Sequence, residues 1–223
     1  MNSTAGRAMV IVGGDDLHHD LLTAASVFQT LGTEAGFVTA RAMGMGRFVD
    51  PMPATAEAGV YLLYTSGGQF ATAQQHALAA LVAAGKGLVA IHCSNVLGVV
   101  DGGLAPADRP MYELLGNRYL SHGPGHHEGT FEVTVAPGHD ITAGVHDFTL
   151  FDEHYEFEFA DDDVQVLATR IRRQDGRPVP VLYTRRSGAG RICYLALGHD
   201  MRAWGQPPFR TIVRQALAWA GRL

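Results

Sequence analysis

Three short apolar runs, each ending abruptly at glycine or polar residues, constrain this chain most. They are Ala8-Met-Val-Ile-Val12 before Gly13-Gly14, Gly59-Val-Tyr-Leu-Leu-Tyr-Thr65 before Gly67-Gly68, and Gly87-Leu-Val-Ala-Ile91 before His92-Cys93-Ser94-Asn95. Runs this short and this apolar read as strands buried on both faces. Between them lie stretches with helical spacing: His19 to Leu31, with Leu21, Leu22, Ala25, Val27, Phe28 and Leu31, and Thr72 to Ala84, stopped by Gly85. Phe37 to Ala40 supplies a further strand, and Arg41 to Glu57, rich in Gly, Met and Pro, reads as a long loop. Strands alternating with helices in this way predict an α/β fold with a mostly parallel central sheet flanked by helices.

The pattern changes after Gly98. A Gly/Pro/Asp loop over Asp101–Pro110 and a short helix over Met111–Leu115 lead into extra strands in the C-terminal half: Thr130–Ala136, Phe148–Phe159, Val164–Arg172, Val179–Arg185 and Arg191–Leu197. Pro208 to Trp219 closes the chain as a helix. The 223 residues fit a single domain over 1–223. A net charge of −5 without a basic run argues against nucleic acid, and no apolar stretch reaches the roughly 20 residues that span a bilayer. No signal peptide is read at the start, and two cysteines make no disulfide framework, so a cytoplasmic, reduced setting is expected.

Ligands of parallel sheets sit outside the carboxyl ends of the strands. Three stretches therefore converge: Gly13 to His19, Thr65 to Gly68, and His92 to Ser94. His92 is expected to line the cleft there. Cys93, its neighbour, reads either as a thiol nucleophile or as a small apolar side chain packed inward. Eleven histidines are many for this length. His122, His126 and His127 share a loop with Glu128, Asp152-Glu153-His154 sets two carboxylates beside a histidine, and Gly198-His199 ends the last strand. His126, His127 and His154 read as solvated loop residues. His92, His122, Glu153 and His199 are expected to converge and to hold a divalent metal, zinc or similar, although no local zinc signature is present.

These stretches resemble the ThuA, or trehalose-utilisation, family: "HHD" near the start, "GKGLVAIHCS", "YELLGNRYLSH", "GHDITAGVHDFTLFDEHYEF", "GAGRICYLALGHD" and the terminal "ALAWA". The resemblance implies a flavodoxin-like, class I glutamine-amidotransferase-like fold. It places His92 where an amidotransferase carries its cysteine, so no glutaminase activity is expected. It implies work on a small-molecule sugar, a keto-glycoside or relative in disaccharide catabolism, with His19, His92, His122, Glu153, Tyr155 and His199 at the family's recurrent polar positions. From the residues and the resemblance together, the catalytic candidates are His92, His122 and Glu153, and the substrate-binding candidates are His19, Gly67, Gly68 and Tyr155. A non-catalytic sugar-binding module and a Cys93-dependent hydrolase are the alternatives, and a homo-oligomer stays open. The chain departs from the family pattern at Asn117, often glycine, at Tyr183, often tryptophan, and over Asp101–Pro110.

Overall fold

The computed structural model describes residues 6–14, 17–65 and 70–223. β1 (Arg7–Gly13) leads through α1 (Leu21–Glu34) to β2 (Val38–Met43), α2 (Pro53–Glu57) precedes β3 (Val60–Thr65), and α3 (Thr72–Ala83) precedes β4 (Gly87–Ile91). These four strands are parallel in the order β2-β1-β3-β4. Every residue of β3 and β4 is buried, as is all of β1 except Arg7. A strand covered by helices on both faces has no wet side, and this explains the unbroken apolar runs. The Asp20 carboxylate starts α1 by accepting the Thr23 N–H at 2.9 Å. The segment 41–57, expected as a loop, holds the end of β2, a 3-10 turn at Met45–Phe48 and α2.

Beyond β4 come the small hairpin β5 (Val99–Val100) and β6 (Gly103–Leu104), then α4 (Arg109–Leu115), β7 (Asn117–Ser121), β8 (Glu128–Val135), β9 (Phe148–Glu153) and β10 (Glu156–Phe159). β11 (Gln165–Ile171), β12 (Pro178–Ser187), β13 (Gly190–Leu195), α5 (Met201–Trp204) and α6 (Pro207–Gly221) complete the chain. The main sheet has nine strands in the order β2-β1-β3-β4-β13-β12-β11-β8-β9. β13 runs parallel to β4, whereas β13–β12, β12–β11, β11–β8 and β8–β9 are antiparallel. The sheet is therefore mixed rather than mostly parallel. The turns at Gln174–Arg177 and Ser187–Gly190 are too short for crossovers and join antiparallel neighbours only.

The stretch 148–159, expected as one strand, is two. β9 ends at Glu153, and β10 pairs with β7 in a separate ribbon. The break at His154–Tyr155 turns the chain over the carboxyl end of β4. α6 lies so close to β4 that a Cβ on Gly87 would meet the Ala220 carbonyl oxygen at 2.4 Å, so glycine is required there.

Candidate metal and acid–base site

β4 stops because His92 takes a left-handed backbone conformation, φ +47°, and opens a 3-10 turn through Asn95. That conformation is costly for a non-glycine residue, and the surroundings over-determine it. The Ser94 hydroxyl bonds to the Ile91 and Leu63 carbonyls at 2.8 and 3.0 Å, which clamps the turn to β3. Tyr194 donates its hydroxyl to the His92 carbonyl at 2.8 Å, and the His92 ring stacks on Tyr155 with centroids 4.3 Å apart.

The imidazole of His92 is fully buried, and both its nitrogens are engaged. Nδ1 lies 2.8 Å from the Ala196 carbonyl oxygen, which only accepts, so Nδ1 carries hydrogen. Nε2 lies 3.2 Å from Glu153 Oε2. In the neutral ring that sets a lone pair against a carboxylate, and a proton or a cation between the two relieves it.

His19 and His199 close around this pair. Their ring centroids each lie 5.4 Å from that of His92 and 5.0 Å from one another. His199 Nε2 is 3.6 Å from Glu153 Oε1. One ligand atom from each of His19, His92, Glu153 and His199 falls within 4.8 Å of all the others. Burial, then the charges of His92 and His199, lowers His19 to about 3, so its ring stays in the neutral form that binds metals. Burial works to raise Glu153, but the His122 and His92 rings, whose Nε2 atoms lie 3.3 and 3.2 Å from its Oε2, and the nearby imidazole charges outweigh it and hold the carboxyl well below its ordinary range. Three imidazoles and one carboxylate suit zinc or another divalent first-row ion. The outer contacts fit as well: His92 Nδ1 donates to a carbonyl, and His199 Nδ1 faces Glu128 at 3.6 Å and Asp200 at 3.5 Å.

Asp152, to which the sequence reading gave no role, ties two of these segments together. Its buried carboxylate accepts the N–H groups of Gly198 at 2.6 Å, His199 at 3.1 Å and Glu153 at 2.9 Å. Burial raises its pKa despite the opposing effect of His92 and these bonds. Tyr64 donates to the His199 carbonyl and Trp204 Nε1 to that of Gly198, both at 2.7 Å.

His122, expected among the ligands, is not one of the four, and His19, expected to contact substrate, is. His122 comes from the loop after β7. Its Nε2 lies 3.3 Å from Glu153 Oε2 and its Nδ1 2.8 Å from the Tyr119 hydroxyl. Burial and then Glu153 push Tyr119 up to about 12, which keeps its hydroxyl protonated.

A cavity of about 590 Å³ opens above, lined by Leu17, His18, His19, Val96, Tyr119, His122, His127, Glu128, Glu153, Tyr155 and His199. His92, expected to line the cleft, instead lies behind Glu153, because Nδ1 is drawn toward Ala196. Gly67 and Gly68 lie outside the described residues. Cys93 is buried, as expected of a small apolar side chain. His126 is exposed, and exposed His127 lines the cavity. His154 is not solvated: it is buried against Phe131, with centroids 4.8 Å apart. Burial, then Arg173 and Arg170, lowers it to about 4. The groupings of Glu128 with His127 or Asp200 have an occupant already, since Arg202 holds Glu128 at 2.7 Å and also pairs with Asp200.

The sequence profile described as "ThuA: Trehalose utilisation" matches residues 7–220. Among solved structures, a ThuA-like protein from Parabacteroides merdae superposes with a TM-score of 0.76 at 15% identity, over 97% of this chain and 90% of that one. A ThuA-like protein from Bacteroides uniformis gives 0.74 at 18% identity, over 99% and 94%. The β-galactosidase from Rahnella sp. R3 gives 0.62 at 14% identity, over 98% of this chain but 32% of the enzyme. At such identities the structural likeness speaks for the fold alone. No curated protein matches the chain in sequence. The profile covers nearly the whole chain, and the chain belongs to the ThuA family, whose description is trehalose utilisation.

Proposed function

We propose that this protein is a metal-assisted enzyme that cleaves an oxidised (keto) glycoside by removing a proton beside the ketone, in a cytoplasmic setting. The observation that carries the reading is the set His19, His92, Glu153 and His199, with Nε2 of a buried imidazole facing a carboxylate at 3.2 Å. Those four residues would hold the metal. When bound, it supplies a Lewis acid that polarises the ketone and stabilises the enolate oxygen. His122 is the base. It lines the cavity, and Tyr119 on Nδ1 fixes the ring so that Nε2 takes the acidified proton. Glu153 keeps its charge beside that ring, the electron pair left on the sugar expels the aglycone oxygen from the anomeric carbon, and the proton on His122 passes to that oxygen. Asp152 holds Glu153 and His199 in register. Cys93, at 0% exposure and off the cavity lining, takes no part.

The test is turnover of a 3-keto-glucoside by the zinc-loaded protein. Chelation is expected to abolish it, and added metal to restore it. His122→Ala is expected to lower kcat by about 10²–10⁴-fold while the metal stays bound. Full activity in the chelated protein would overturn the reading.

A further inference from the structure

The cavity has two kinds of lining. His122, His127 and Glu128 come from the loop and strand that open the antiparallel half of the sheet. Leu17 and Val96 come from the segments that follow β1 and β4, the same two segments that carry His19 and His92. Leu17 is 80% exposed, although it lies two residues from a buried histidine. Leu17 and Val96 line the same cavity as the histidines and give it an apolar wall beside its polar one. Val99 and Val100, in the hairpin just after Val96, are also exposed, at 62% and 54%.

Charge narrows the ligand further. No Lys or Arg lines the cavity, and the residues outside the description, 1–5, 15–16 and 66–69, contain none in sequence. Two carboxylates, Glu128 and Glu153, do line it. A phosphorylated sugar or a uronate would meet those carboxylates and find no guanidinium or ammonium group on the lining, since the neighbouring Arg202 is already paired with Glu128 and Asp200.

We propose that Leu17 and Val96 form a subsite for an apolar aglycone, so that the ligand class is an uncharged glycoside with an apolar group on its anomeric oxygen. The inference rests on the proposed sugar-binding role of this cavity and adds to it the part of the ligand that is not sugar. The hydroxyl-bearing ring faces the imidazoles and Tyr119, and the aglycone lies across Leu17 and Val96 toward the mouth. No covalent step is involved, so unoxidised glycosides serve as non-reacting probes.

The experiment is calorimetric titration of the zinc-loaded protein with 4-nitrophenyl β-glucoside and with methyl β-glucoside. The nitrophenyl compound is expected to bind about tenfold tighter, the effect of covering about 60 Å² of apolar surface. In the double variant Leu17→Ser, Val96→Thr that ratio is expected to fall to within about twofold. Zinc affinity, read in the same variant, reports that the fold is intact. Equal binding of the two glycosides by the wild-type protein, or an undiminished preference in the double variant, would overturn the subsite and leave the sugar reading standing. Failure of both glycosides to bind would overturn the subsite together with the sugar reading.

Discussion

His92 has no uncommitted nitrogen. Nδ1 serves the Ala196 carbonyl and Nε2 serves Glu153, so the ring can neither shuttle a proton to substrate nor rotate. A histidine fixed this way is built as a ligand, whereas His122, half-exposed between Tyr119 and Glu153, lines the cavity where a substrate would lie. His19 makes the acid side of this testable. In the unfolded chain its ring takes a proton near 6.5, and in the folded chain near 3. The unfolded state therefore binds more protons between those values. The metal-free protein should keep full stability above about 6.5 and lose it steadily as pH falls toward 3. His19→Phe is expected to flatten that loss in acid-denaturation curves followed by circular dichroism; an unchanged slope would remove His19 from the explanation. His92, Glu153 and His199 were legible as candidate site residues because each ends or follows an apolar stretch. The choice between His19 and His122 was not, because both flank the carboxyl edge and only the path of each loop decides which ring closes with His92 and His199 around Glu153.

At the scale of elements, the break between β9 and β10 makes the site. An unbroken strand would carry Glu153 and Tyr155 along one sheet edge; the bend sets one carboxylate among the histidines and stacks the next aromatic on His92. Asp152 staples this bend to the loop after β13, and Asp152→Asn would turn an amide donor either against the Gly198 N–H or against those of His199 and Glu153. The expected result is a loss of about 10–100-fold in zinc affinity with the secondary structure retained, checked by competition with a chromogenic chelator. Asp152 escaped the sequence reading because adjacent carboxylates on a strand look alike until register decides which one faces inward. Asn117 and Tyr183, two of the three places expected to depart from the family pattern, prove to be partners: Asn117 donates to the Tyr183 hydroxyl at 2.6 Å and accepts from Asn95, in the His92 turn, at 2.7 Å. Tyr183→Phe leaves a buried amide without its acceptor and is expected to cost about 1–3 kcal/mol in urea denaturation. Adding Asn117→Gly should cost less than the sum of the two single changes.

For the whole molecule, the parallel half was readable because doubly covered strands are apolar throughout, as in β3 and β4. The mixed character of the sheet was legible only in the tight turns Gln174–Arg177 and Ser187–Gly190, since the apolar run of β13 looks the same whether its neighbour is parallel or antiparallel. The two halves meet at β4 and β13, and the four candidate ligands come from both: His19 and His92 from the parallel half, Glu153 and His199 from the strands that follow it. A metal bound there would link the halves and stabilise the fold as it binds. The most direct measurement is metal content per chain, by mass spectrometry after zinc loading and desalting, in the wild type, His19→Ala and His122→Ala. One zinc per chain is expected in the wild type and in His122→Ala, and none in His19→Ala. Zinc lost from His122→Ala but retained in His19→Ala, or no zinc in the wild type, would contradict the assignment.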